Sequence, residues 1–312
     1  MLYDMTKFHG VFVALNTIYD DKGNLSEDSI RKLCLWYEEK GVDGLYVCGS
    51  TGEGALLSCD ERKRLLELVC STVKKRIPVI SHVGAPSTQE SAELAYHAEY
   101  NGADAISAVP CIYYNPGEEG IKNHWNAITE AADLPFIIYN IPGTTGYELS
   151  PELFGEMLQN KKVCGLKNSS YILYDLTSFR MRAPENFVIF NGVDEQFAAG
   201  LMMGANGGIG STYGIMPEVY ATMYKLIGVG AFDDAFDIQR KVTWLIIDKL
   251  LKYPSLYGVS KAIISIRSGI KTGAVRMPLQ SVTEDDPGVR ELAQEVEELV
   301  KYSMSVIKNF LT

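Results

Sequence analysis

The chain is poor in the residues that make metal centres and hydrolytic triads. Its four histidines, His9, His82, His97 and His124, are scattered, and none forms a His-Glu-x-x-His pattern. The six cysteines, Cys34, Cys48, Cys59, Cys70, Cys111 and Cys164, stand singly, with no Cys-x-x-Cys pair. Both absences argue against a metal site and against a cysteine or serine hydrolase. Most of these cysteines lie inside apolar runs, so buried free thiols are expected rather than disulfides, as suits a reducing cytoplasm. There is no Lys/Arg-rich block, and the formal net charge is −10, which argues against nucleic acid as a partner. An anionic small molecule stays possible, because a local pocket can oppose the global charge. No apolar stretch reaches membrane-spanning length and the N-terminus has no signal-peptide pattern. A cytoplasmic protein with no membrane partner is expected.

What is present is a regular alternation. The 312 residues suffice for one barrel-sized domain with an extension, or for two smaller domains. Short apolar runs such as Val11–Leu15, Gly44–Val47, Pro78–Ile80, Ala105–Val109, Phe136–Tyr139, Val163–Lys167 and Phe187–Phe190 read as buried strands, with the glycine-rich Gly204–Gly210 as an eighth. Amphipathic stretches follow most of them. One begins at Ser26 and carries Ile30, Leu33, Cys34 and Tyr37 on one face. Ser58 with Glu61, and Ser87 with Glu90, have the spacing of capping boxes. Strictly alternating β and α units require a parallel sheet, and eight of them predict a closed (β/α)8 TIM barrel of the α/β class, ahead of an open doubly wound sheet. Strand signals stop near residue 217, and helices are predicted over about 217–228, 232–252, 255–268 and 289–310. The expected organisation is therefore a barrel over 1–220 and a helical extension over 221–312.

In a barrel of this kind chemistry sits just after each strand. The run Val163–Cys164–Gly165–Leu166 ends in Lys167, with Asn168, Ser169 and Ser170 after it. A lone lysine there is ordinarily a surface cap. In a dry pocket, however, burial disfavours the charged amine, and a neutral amine can attack a ketone to form a Schiff base. Its neighbours at other strand ends decide between these readings. Tyr139 ends the adjacent fifth strand. Ser50 and Thr51 stand between two glycines after the second strand, where hydroxyls and loop N–H groups could cradle a carboxylate. Gly192, Asp194 and Glu195 follow the seventh strand, and Ser211 with Thr212 the eighth. Taken singly, each is an ordinary turn, core or helix-start residue. Together they would face one mouth.

Gly-Ser-Thr-Gly-Glu at 49–53, Tyr-Asn-Ile-Pro at 139–142 and Gly-Leu-Lys at 165–167 resemble the shared signatures of the class I aldolases that include dihydrodipicolinate synthase and N-acetylneuraminate lyase. The likeness runs through nearly the whole chain. It implies a (β/α)8 barrel with a C-terminal helical extension, assembled as a homotetramer. It implies that Lys167 forms an imine with pyruvate or another 2-keto acid, that Tyr139 is the acid/base residue, and that Ser50 and Thr51 bind the carboxylate. Tyr113 matches a tyrosine that in relatives reaches into a neighbouring subunit's site. No metal or organic cofactor is implied, since the imine itself serves as electron sink.

Within the family, synthases carry an arginine two residues after the proline of the Tyr-Asn-x-Pro segment, and here Thr144 stands there. Asn191–Glu195 and Gly207–Tyr213 instead resemble the sialic-acid lyases, in which the residues matching Gly192, Asp194, Glu195 and Ser211 contact the sugar's hydroxyl chain. Ser169 stands where lyases commonly have threonine. Gly143, Thr144 and Gly214 depart from the usual lyase sequence and bear on which sugar acid fits. The expected reaction is reversible cleavage of N-acetylneuraminate to N-acetylmannosamine and pyruvate. The alternatives are an aldolase or dehydratase of another 2-keto-3-deoxy sugar acid, then a synthase, then a non-catalytic keto-acid sensor, which would need neither Lys167 nor Tyr139.

Overall fold

The short apolar runs form parallel strands in the computed structural model, which describes residues 2–110 and 113–311. They are β1 Gly10–Ala14, β2 Gly44–Val47, β3 Val79–His82, β4 Ala105–Ala108, β5 Phe136–Asn140, β6 Val163–Asn168, β7 Val188–Asn191 and β8 Gly207–Gly210. Each pairs with the next in chain order, and β8 returns to β1 through the register Gly10↔Gly207, which closes a barrel. The expected (β/α)8 fold is what forms. The eighth strand is shorter than expected, because Gly204 turns with φ +101 instead of extending.

The helices form where patterning and caps agree. α1 (Glu27–Glu39) buries Ile30, Leu33, Cys34 and Tyr37, and ends before Gly41, which takes φ +74. α2 (Cys59–Val73) starts with the full Ser58–Glu61 capping box. α3 (Thr88–Tyr100) keeps only half of the second box: Ser87 Oγ accepts from the Glu90 N–H, without the reciprocal bond. α4 (Gly117–Glu130) buries Ile121, Trp125 and Ile128. A single turn, α5 (Pro142–Thr145), precedes α6 (Pro151–Met157), and α7 (Tyr174–Arg182) and α8 (Phe197–Met202) complete the sequence up to β8.

Alternation along the strands divides the apolar residues in two. Val11, Val13, Leu45, Val47, Ile106 and Ile138 pack outward against the helices. Phe12, Ala14, Ile80, Ile137, Val188 and Phe190 fill the barrel, and Phe12 meets Phe190 edge-on at 5.1 Å. At the β8–β1 seam the backbones come so close that a Cβ on Gly207 would lie 2.0 Å from the Gly10 carbonyl oxygen. Gly207→Ala is therefore expected to destabilise the protein by about 3 kcal/mol, read as a lower urea midpoint, because neither backbone can yield without opening the barrel.

One irregularity positions the chemistry. Between Phe136↔Val163 and Ile137↔Gly165 the register advances two residues on β6 for one on β5. This bulge at Cys164 reverses the in/out alternation that Val163 begins. Downstream of it Leu166 packs outward and Lys167 pairs with the inward Tyr139.

α9 (Pro217–Gly228) packs on β1 and α8, and residue 220, the expected limit of the barrel, lies inside it. α10 (Phe232–Asp248), α11 (Leu256–Ser268) and α12 (Pro287–Leu311) follow. The helix expected over 232–252 ends at Asp248 and gives way to a single tighter turn at Leu250–Lys252. Among the described residues no helix is long and apolar enough to cross a membrane. Cys34, Cys48 and Cys164 are buried free thiols, and Cys59 and Cys70 are half-buried ones; Cys111 lies outside the described residues.

Candidate active site

A cavity of about 310 Å³ opens at the C-terminal ends of the strands. Ser50, Thr51, Tyr139, Lys167, Ser169, Gly192, Asp194, Glu195 and Ser211, which stem from five different strand ends, all line it. Tyr113 does not. It stands 95% exposed with φ +75, edge-on to Tyr114 at 5.1 Å.

Lys167 is buried, and its Nζ lies 3.9 Å from the centre of the Tyr139 ring and 4.5 Å from that of Tyr46. No carboxylate among the described residues comes within ion-pair distance of it. The amine is thus held by ring faces rather than by an anion, which leaves its nitrogen open toward the cavity. Tyr46 donates to Ser107 Oγ at 3.1 Å, and His82 meets Tyr139 edge-on at 5.9 Å. His82 Nε2 accepts from the Val109 N–H at 3.3 Å, so its Nδ1 carries the proton and donates to the Cys48 carbonyl at 3.1 Å. Burial, with Arg62 and Lys167 nearby, drives the His82 pKa well below the usual imidazole range, so the ring is neutral. Tyr46 and His82 escape sequence reasoning because they read as ordinary strand residues.

The loop after β2 is built on two left-handed residues, Cys48 at φ 62 and Glu53 at φ 56. Between them the Glu53 N–H donates to the Ser50 carbonyl at 3.0 Å, and Thr17 Oγ1 donates to the Gly52 carbonyl at 2.5 Å. Thr51 is buried, with its Oγ1 2.5 Å from Ser211 Oγ. Backbone bonds extend the strand ends on the other side: the Ser169 N–H donates to the Asn140 carbonyl and the Gly192 N–H to the Asn168 carbonyl, each at 2.8 Å. A Cβ at Gly192 would lie 2.1 Å from Ser169 Oγ, so only glycine leaves that hydroxyl in place.

Asp194 is buried, and its Oδ2 accepts from both the N–H and the Oγ1 of Thr212 at 2.7 Å. Burial pushes its pKa up to about 6 despite those two bonds. Glu195 is half-buried beside it, and its carbonyl accepts from Thr243 Oγ1 at 3.0 Å. Thr243 belongs to α10, as does Gln239, whose Nε2 donates to the Asp194 carbonyl at 3.2 Å. The helical extension therefore holds the acidic loop in place. It also supplies Ile246, Leu251, Leu256 and Tyr257 to the cavity wall. No motif marks these four, which look like any apolar face of a packed helix. Gly143 and Thr144 line the cavity as well. Gly214 is not part of the lining, and its carbonyl accepts from Tyr37 Oη at 3.2 Å. Among the described residues no group of three or more His, Cys, Asp or Glu side chains is placed to hold a metal ion.

Residues 7–299 match the Dihydrodipicolinate synthetase family, which spans nearly the whole chain. The chain belongs to this family. Among curated relatives of this synthetase-family protein is the N-acetylneuraminate lyase of Mediterraneibacter gnavus, 41% identical over 295 residues that cover 94% of each chain. The N-acetylneuraminate lyase of Escherichia coli strain SMS-3-5 is 38% identical, covering 93% of this chain and 98% of its own. Among solved structures, the wild-type sialic acid aldolase of Ruminococcus gnavus superposes with a TM-score of 0.92 at 42% identity, over 95% of this chain and 99% of that one. A catalytic lysine mutant of that aldolase gives 0.93 at 41%, over 96% and 99%.

Proposed function

We propose that the protein is a carbon–carbon lyase that cleaves N-acetylneuraminate reversibly to N-acetylmannosamine and pyruvate through a Schiff base on Lys167. The observation that carries this reading is the Lys167 amine, buried with no ion-pair partner among the described residues, against the Tyr139 ring in the cavity wall. The names of the relatives support the choice of sugar acid. So does Thr144 in the cavity wall, which offers a second carboxylate no cationic partner.

Nζ attacks the C2 ketone of the open-chain sugar acid, and loss of water gives the protonated imine. The imine accepts the electron pair of the C3–C4 bond as it breaks. Tyr139 takes the proton of the C4 hydroxyl, relayed through the substrate carboxylate, as the aldehyde of N-acetylmannosamine forms. The remaining enamine is protonated at C3 and hydrolysed, releasing pyruvate and the free amine. Ser50 and Thr51 hold the carboxylate. Ser169, Gly192, Asp194 and Glu195 face the hydroxyl chain, where each carboxylate can accept from two hydroxyls. No cofactor enters these steps.

Homotetrameric assembly and a cytoplasmic location belong to the same proposal. The exposed Tyr113 has no role within its own cavity and is available to a neighbouring subunit. The free thiols suit a reducing compartment.

The test is pyruvate release from N-acetylneuraminate by the purified protein, followed through lactate dehydrogenase. Strong release supports the lyase reading. A protein that borohydride links to pyruvate at Lys167, but that leaves N-acetylneuraminate intact, is an aldolase of another 2-keto sugar acid. A pH dependence also follows from Asp194. Its carboxyl is charged above about pH 6 and neutral below, and the neutral acid accepts fewer hydroxyl donors. KM for the sugar acid is expected to rise severalfold as the pH falls from about 7.5 to about 5, and Asp194→Asn to remove that limb. A limb unchanged in Asp194→Asn would assign it to another group.

A further inference from the structure

The contact between Thr51 and Ser211 joins two parts of the cavity that the family resemblance keeps apart. Thr51 belongs to the β2 loop, the carboxylate side. Ser211 follows β8 and matches a residue on the sugar's hydroxyl side. Yet Thr51 Oγ1 and Ser211 Oγ are 2.5 Å apart. Among the described residues neither hydroxyl makes another side-chain hydrogen bond, so the pair is isolated from the rest of the polar network.

Each hydroxyl carries one proton, so one of the two donates along this contact and the other accepts. If Thr51 donates, its hydroxyl proton is spent on Ser211 and that hydroxyl has nothing left to donate to an anion. If Ser211 donates, the Thr51 proton is free, and a hydroxyl that accepts a bond is a better donor for the next one. An anion beside the β2 loop selects the second arrangement.

We infer that Ser211 is a positioning residue for the substrate carboxylate: its hydroxyl donates to Thr51 Oγ1 and so turns the Thr51 proton toward the bound carboxylate. This rests on the keto-acid reading of the site. It moves Ser211 from the hydroxyl-chain side of the substrate to the carboxylate side. Ser211 still lines the cavity, but its proton serves Thr51.

Pyruvate separates the two roles, because it carries the ketone and carboxylate and no hydroxyl chain. The amount of borohydride-trapped pyruvate on Lys167 is measured by intact mass against pyruvate concentration, in the wild-type protein and in Ser211→Ala, Thr51→Val, the double variant and Ser211→Thr. Ser211→Ala is expected to raise the half-trapping concentration about 5- to 10-fold, the effect of one neutral hydrogen bond. Thr51→Val, which loses a bond to a charged group, raises it roughly 10- to 100-fold. The double variant matches Thr51→Val within about twofold, since Ser211 acts through Thr51. Ser211→Thr, which keeps the hydroxyl, stays near wild type. A wild-type pyruvate curve in Ser211→Ala, with only KM for the sugar acid raised, overturns the inference. So does a double variant in which the two effects multiply. A wild-type protein that takes up no pyruvate overturns the keto-acid reading itself, and is told apart from the other outcomes by that control.

Discussion

Lys167→Ala is expected to lose cleavage of N-acetylneuraminate by at least a factor on the order of 10^4 while the protein stays folded. The nucleophile and the electron sink are the same nitrogen in this mechanism, so nothing else in the cavity can take over either role. Tyr139 and the β2 loop would still bind the keto acid, but without a covalent bond the C3–C4 electrons have nowhere to go. Borohydride labelling by pyruvate should vanish with activity. The fold should survive because Lys167 forms no ion pair among the described residues, so its removal strands no buried partner charge. Its strand neighbours stay paired through the backbone register of β6 with β5 and β7. A melting temperature within about 5 °C of wild type is the expected control. Substantial cleavage by a folded Lys167→Ala protein would end the Schiff-base reading.

Glu53→Gln should do the opposite, damaging the fold first. Glu53 closes the Gly-Ser-Thr-Gly-Glu segment, and its side chain and that of Lys261 in α11 are essentially inaccessible to water. Their charged atoms are 2.7 Å apart, and Lys261 Nζ also donates to the Ala274 carbonyl at 2.9 Å. The contact pairs two buried, opposite charges. Burial lowers the Lys261 pKa, and the Glu53 carboxylate opposes that shift. Glu53 Oε2 also accepts from the Arg276 N–H at 2.7 Å, which ties the β2 loop to the segment after α11. Neutralising Glu53 leaves a cation buried without its partner, at a cost of about 3–5 kcal/mol, measured as a fall in urea midpoint at constant slope. Pairing Glu53→Gln with Lys261→Met should recover most of that loss, since no charge then remains buried. If Glu53→Gln alone left the midpoint unchanged, the pair would contribute nothing net to stability.

These two expectations come from different depths of information. Lys167 stands out in the sequence because a short apolar strand ends in it and three spaced signatures surround it. Glu53 belongs to one of those signatures, but nothing in the chain says that its partner lies more than two hundred residues on, in a helix. The same holds for Gln239 and Thr243, which hold the acidic loop, and for Tyr257 and Leu256, which wall the cavity. An amphipathic helix announces which face it buries. It does not announce what that face is buried against, because any apolar or mixed surface satisfies the same periodicity.

The sequence alone determined the local code: eight strand runs, their intervening helices, the caps at Ser58 and Ser87, and the strand-end positions of Ser50, Thr51, Tyr139, Lys167 and Asp194. All of these depend on interactions within a few residues or on period, which a linear chain displays. Only the tertiary structure decided which way Lys167 points, because the bulge at Cys164 is a property of the pairing of β6 with β5 and reverses the alternation counted from Val163. Only it set Ser211 against Thr51, joined the β2 loop to α11 through Glu53 and Lys261, and left Tyr113 outside its own cavity. Each of these but the last is a contact between segments distant in the chain. Its energy depends on the closed barrel that brings those segments together, and no local pattern carries that information.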